Sequence, residues 1–125
     1  MGHFNVMYYV GKFDEATWHL MASAGITPTY MREEKRGMAG VQQNITYKRE
    51  LFAGAIVEIW SHFVSVGERK MVWIHEMRDA ENREVCAICE LTAVHIDREK
   101  RRAAPFPPDI RARTEALIAG NAPPS

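Results

Sequence analysis

The residues that open the chain, His3, Asn5, Val6 and Met7, have the types and spacing of a site that holds an electrophilic carbonyl. Asn5 is a good helix N-cap. From Val6 onward Val6, Val10, Phe13, Leu20 and Ala24 recur at helical spacing until Gly25 supplies a stop. A helix that starts there leaves its first backbone N–H groups unpaired. The amides near Val6 and Met7, reinforced by the helix dipole, can therefore hold an oxygen on which negative charge develops. His3, just ahead of the cap, can orient a water or the carbonyl itself. Attack by water also needs a carboxylate, and the acidic residues near the motif are Asp14 and Glu15. At a rise of about 1.5 Å per residue, Asp14 lies roughly 13 Å from Asn5 along the axis. That distance argues against either acid as the direct base, and Glu15 is kept as the catalytic candidate for a substrate that enters along the helix. Tyr8, Tyr9 and Phe13 are candidate substrate-pocket residues, with packing of the helix against a sheet as the plainer role.

Other chemistry is thin. His19, His62, His75 and His95 show no metal-ligand spacing, and no second cysteine pair accompanies Cys86 and Cys89, so no metal and no cofactor are expected. The two thiols fall in a strand-like run, where a spacing of three sets them on opposite faces as inert, buried groups. Arg98, Lys100, Arg101 and Arg102 form a local basic segment suited to phosphate.

The elements that must position these groups follow from the patterning. The helix from Asn5 to Ala24 leads through a connecting segment, Ile26 to Ala39, with room for a short helical turn, into four strand-like runs: Val41 to Leu51, Ala55 to Val66, Lys70 to Arg78 and Glu84 to Asp97. Their short connections favour antiparallel neighbours. In the third run Met71, Trp73, His75 and Met77 alternate with Val72, Ile74, Glu76 and Arg78, which fits a sheet with one well-buried face. A short helix, Asp109 to Ala119, ends the pattern. The fold class is α+β, with the long helix as the filling of a sheet that curls around it, because no other segment is apolar enough to cover that sheet. Residues 1–120 form one domain, and the Pro- and Ala-rich residues 121–125 are expected to be a disordered tail.

With 125 residues, 46% of them apolar, and sixteen basic side chains balancing sixteen acidic ones, the chain has an ordinary globular composition and no global field for nucleic acid or an anionic membrane. No apolar run has the length of a membrane span and the start lacks a secretory pattern, so the expected compartment is the cytoplasm.

Together, Gly2-His3-Phe4-Asn5-Val6, Tyr8-Tyr9, Phe13-Asp14-Glu15-Ala16-Thr17, His75-Glu76-Met77-Arg78, His95-Ile96-Asp97 and the tail from Arg101-Arg102 to Pro105-Phe106-Pro107 resemble the hotdog-fold thioesterases. The similarity is to the 4-hydroxybenzoyl-CoA thioesterase-like group, and within it to thioesterases associated with carnitine metabolism. It implies an acyl-CoA or acyl-carrier thioester as partner, hydrolysed to a free acid and CoA. It also implies a homodimer or dimer of dimers joined at the edge Val41 to Leu51, and Arg101 and Arg102 holding the 3′-phospho-ADP of CoA. Members of that family carry one more strand ahead of the helix, ending in the Asp that serves as base or nucleophile. The expectation here is that this first strand is missing and the Asp lies upstream of the start, leaving a chain that binds acyl-CoA but hydrolyses it poorly. Two rival readings are a non-catalytic acyl-CoA or acyl-carrier binding protein and a hotdog dehydratase or isomerase.

Overall fold

Helix α1 runs from Val6 to Ser23 and stops where the sequence says it should: Gly25 takes φ 93°, and the Ile26 N–H turns back to the Met21 carbonyl at 3.0 Å. The computed structural model describes residues 6–49 and 54–120, with side chains from residue 10 onward. His3 and Asn5, the expected tail 121–125, and the Glu50-Leu51 end of the first expected strand lie outside the described residues.

The connecting segment does hold a short helical element, α2, Pro28–Glu33, and it also holds the start of strand β1, Arg36–Tyr47, which the sequence pattern does not predict there. Thr27 caps α2 by accepting the Tyr30 N–H at 3.1 Å, and Pro28 occupies the first turn, where its missing N–H is harmless. The remaining elements are β2 (Val57–Val66), β3 (Lys70–Asp79), β4 (Val85–Asp97), the two-residue β5 (Arg102–Ala103) and α3 (Pro108–Gly120).

All strand pairs are antiparallel, in the order β1-β4-β3-β2, with β5 added beside β4. The expectation of consecutive neighbours holds for β2, β3 and β4 and fails for β1, which lies at the far edge. The link from β1 to β2 covers residues 48–56, longer than the three-residue turn expected, and that length carries the chain from one edge of the sheet to the other.

Alternation places Met71, Trp73, His75 and Met77 of β3 on the buried face, as their spacing predicts. Three register shifts explain residues that break the pattern. Val41 and Val64 fall at the shifts in β1 and β2 and are exposed despite being apolar. Cys86 falls at the shift where β4 passes Met77 and Arg78, and the extra residue brings it into the same buried cluster as Cys89. The two thiols thus share a face, contrary to the expectation of opposite faces. Burial pushes the Cys89 thiol up to about 11 and raises Cys86 as well, so both are inert as expected.

Helix α1 covers the sheet with Phe13 and Met21, and Ala24 just past its end is buried with them, but the helix does not fill the sheet alone. Phe106 and Ile110, from the tail and α3, join Met21, Phe63, Met71 and Trp73 in one cluster. The tail reads as polar because it contributes only a few large apolar side chains, of which Phe106 and Ile110 are deeply buried and Leu117 and Ile118 partly so.

Candidate active site

Helix α1 separates two cavities, because residues three and four apart form two stripes along it. One stripe, Val10, Phe13, Asp14, Thr17 and Met21, lines a cleft of about 230 Å³ closed by Met38, Gly40 and Gln43 of β1, Trp73 of β3 and Leu91 and Ala93 of β4. Its walls are apolar apart from Asp14, Thr17 and Gln43, and Asp14 is the ionisable group among them. The exposed Trp18 stands at its rim. An apolar cleft with a few convergent polar groups is the usual form of a small-molecule site.

The other stripe, Lys12, Glu15, Ala16, His19, Leu20 and Ser23, faces Ile59 and Ser61 of β2 across an open groove of about 480 Å³. Glu15 therefore does not line the cleft. It is paired with Lys12 at 3.6 Å, with most of its side chain in solvent.

Between the cavities sits His75, with no exposed surface. Its Nε2 is 2.8 Å from Thr17 Oγ1, its Nδ1 is 2.6 Å from Ser61 Oγ, and Phe13 stacks on it with ring centroids 5.8 Å apart. Burial drives its pKa down to about 4, so the ring is neutral at pH 7. Phe13 thus has both roles considered for it, as a core residue and as a wall of the cleft.

His95 is equally buried but structurally occupied. Its Nδ1–H donates to the Ala104 carbonyl at 2.9 Å, so the bare Nε2 accepts the Tyr30 hydroxyl at 2.9 Å, and Phe106 packs on the ring. These contacts tie α2 and the β5 segment to β4.

A third cavity, about 610 Å³, lies at the end of β4 and is lined by Arg36, Arg69, Lys100 and Arg102 with the lone carboxylate of Asp97. Asp97 accepts the backbone N–H groups of Lys100 and Glu99 and pairs with Arg36 at 3.3 Å. Those amides, the Lys100 N–H first, hold its carboxyl below the usual range, so it stays ionised and leaves a net positive groove. Of the expected pair, Arg102 lines this groove and Arg101 does not; Arg101 sits in the exposed turn before β5 with φ 55°.

Val6, Met7, Tyr8 and Tyr9 fall in the first turns of α1, as expected. The sequence did not single out Gln43, Ser61, Arg36 or Arg69 as site residues, because each reaches its cavity only through the packing of segments distant in the chain, whereas Thr17, in a run the resemblance includes, reaches the cleft from α1. Among the described residues no cluster of His, Cys, Asp or Glu could hold a metal ion, and no helix is long and apolar enough to cross a membrane.

A sequence model of the thioesterase-like superfamily matches residues 1–114. The betainyl-CoA thioesterase of Pseudomonas aeruginosa is 24% identical over 116 residues, spanning 93% of this chain and 73% of that protein. Among solved structures, a Staphylococcus aureus protein in complex with CoA superposes with a TM-score of 0.93 at 14% identity, covering 100% of this chain and 78% of its own. A thioesterase from Thermus thermophilus complexed with CoA and Zn gives 0.77 at 24% identity, covering 94% and 83%. The curved antiparallel sheet packed on a helix is the hotdog fold.

Proposed function

Because the chain belongs to the thioesterase-like superfamily, we propose that it hydrolyses an acyl-CoA thioester to a free acid and CoA, with the acyl group in the cleft between α1 and the sheet. The observation that carries this reading is the apolar cleft with a single ionisable group, Asp14, among the described residues of its wall. Asp14 directs a water onto the thioester carbonyl, and the Gln43 amide across the cleft orients it. The first amides of α1, at Val6 and Met7, remain the strongest backbone donors for the carbonyl oxygen, but Asp14 is about 12 Å further along the axis. One protomer therefore cannot bring a carbonyl against both, and the carbonyl that Asp14 serves sits mid-helix, on the side of the cleft that Gln43 closes.

The CoA-bound neighbour from Staphylococcus aureus supports a CoA thioester over a bare acid. The groove of Arg36, Arg69, Lys100 and Arg102 suits its phosphates, since guanidinium groups form paired, charge-assisted hydrogen bonds with phosphate oxygens. A homodimer also fits this reading: β1 is an edge strand, exposed from Gly40 to Asn44, and it forms one wall of the cleft.

The test is release of free thiol from a panel of acyl-CoA thioesters. Saturable turnover that Asp14→Asn abolishes supports the reading. Tight binding without turnover for every acyl group would reduce the protein to an acyl-CoA binder.

A further inference from the structure

Ser61 on β2 stands opposite His75 on β3 in the hairpin register, which brings Ser61 Oγ to 2.6 Å from His75 Nδ1. The other ring nitrogen meets Thr17 Oγ1 at 2.8 Å. Thr17 has one proton and two further partners: the Phe13 carbonyl at 3.1 Å, which only accepts, and the Trp73 indole N–H at 3.3 Å, which only donates. All of these bonds form together when Thr17 donates to Phe13 and accepts from both Trp73 and the His75 Nε2–H. The bare nitrogen is then Nδ1, and Ser61 donates its hydroxyl proton toward it.

A hydroxyl bonded to a neutral imidazole whose far nitrogen is fixed by a third group is the arrangement that activates a serine. Burial of the ring and its stacking on Phe13 hold the geometry. Ser61 itself is half-buried and lines the open groove with Ile59, Leu20, Lys12 and His19. That groove lies on the flank of α1 away from the acyl cleft.

We propose that Ser61 is a nucleophile, with His75 as its base and Thr17 as the positioning residue, in a second acyl-transfer site that takes activated esters or thioesters of small acyl groups. Ser61 Oγ bonds to the acyl carbon as its proton passes to His75 Nδ1. The bond to the leaving oxygen or sulfur breaks, and His75 returns the proton to the departing alcohol or thiol. A water that gives its proton to His75 then attacks the acyl-serine, releasing the acid and restoring Ser61. Ile59 and Leu20 receive the acyl group, and Lys12, paired with Glu15 at 3.6 Å, lines the same groove. A hydroxyl stands behind the imidazole where a carboxylate would strengthen it, so the site is confined to good leaving groups. The short apolar wall keeps the acyl group small.

The test uses a fluorophosphonate probe and p-nitrophenyl acetate on the full chain. A probe adduct located on Ser61 by mass spectrometry and a stoichiometric burst of p-nitrophenol are expected. Ser61→Ala loses both while keeping its thermal midpoint and its acyl-CoA hydrolysis, and His75→Gln slows labelling by roughly 10²–10⁴, the range for loss of general-base help. Thr17→Val slows labelling at least tenfold, and Thr17→Ser, which keeps the hydroxyl, restores it. Absence of an adduct at Ser61, or equal labelling of Ser61→Ala, overturns the proposal. Loss of acyl-CoA hydrolysis in Ser61→Ala would overturn the separation of the two sites.

Discussion

Asp14 and Glu15 are adjacent in the chain yet line different cavities: Asp14 faces the cleft under β1 and β4, and Glu15 faces the groove beside β2, where Lys12 pairs with it. Consecutive helical positions are about 100° apart, because the helix has 3.6 residues per turn. That rotation is enough to give two neighbouring carboxylates different surroundings.

From this follows a contrast in turnover. Asp14→Asn should cut acyl-CoA hydrolysis by roughly 10²–10⁴, the usual contribution of a general base. Glu15→Gln should stay within a factor of two, since it removes only an exposed ion pair. Steady-state kinetics on one good substrate decides the matter: collapse of turnover in Glu15→Gln with Asp14→Asn unaffected would move the chemistry to the other flank of α1.

Phe13→Ala should destabilise the protein by roughly 3–5 kcal/mol, the range for emptying a buried aromatic position. Phe13 is 2% exposed, packs with Met77, Cys86 and Cys89, and holds the His75 ring by stacking. Chemical denaturation measures the loss, and a midpoint unchanged by the substitution would mean that α1 contributes nothing to the core.

Much of this architecture was legible in the chain, for reasons that are local. The alternation from Met71 to Met77 predicts the buried face of β3, and Gly25 predicts the end of α1. What was not legible depends on distant partners. Residues 36–40, with Gly37 and Gly40, have weak strand character and become strand because β4 supplies their hydrogen bonds from Ala93 to Asp97. Phe106 and Ile110 sit in a polar tail, and their burial is decided by the uncovered end of the sheet. The site divides in the same way. The helix-start motif and Phe13 stand out as sequence, whereas the contacts of Ser61, Thr17 and Arg36 exist only through strand register and helix docking.

Stability should fall in mildly acidic solution because of His75. Its folded pKa, about 4, lies below the ordinary 6.5, so above pH 6.5 neither the folded nor the unfolded ring takes up a proton and nothing is lost. As pH falls from 6.5 toward 4 the unfolded chain binds a proton that the folded chain refuses. Folding then loses up to roughly 3 kcal/mol, because one proton bound by only one of the two states is worth about 1.36 kcal/mol for each pH step of one. His95, also lowered by burial, adds in the same direction. Urea titrations at pH 7.0, 5.5 and 4.5 read the slope, and His75→Gln should flatten it. A wild-type stability independent of pH across that window would show that the buried imidazole carries no such penalty.

The basic groove at the end of β4 should act on binding rather than on chemistry. Arg102 and Arg69 both line it, and neither lines the cleft that holds Asp14, so their charges would meet the distal phosphates of CoA and not the carbonyl under attack. Contacts equal in the bound and transition states change KM and leave kcat alone. Arg102→Glu should raise KM for an acyl-CoA roughly tenfold, the low end for a charge-assisted hydrogen bond, because the groove is open to solvent and salt weakens exposed pairs. The effect should shrink as ionic strength rises. An acyl thioester of a short neutral thiol, which has no phosphates, should show the same KM in both proteins. A kcat defect in Arg102→Glu on both substrates would instead connect the groove to the reacting centre.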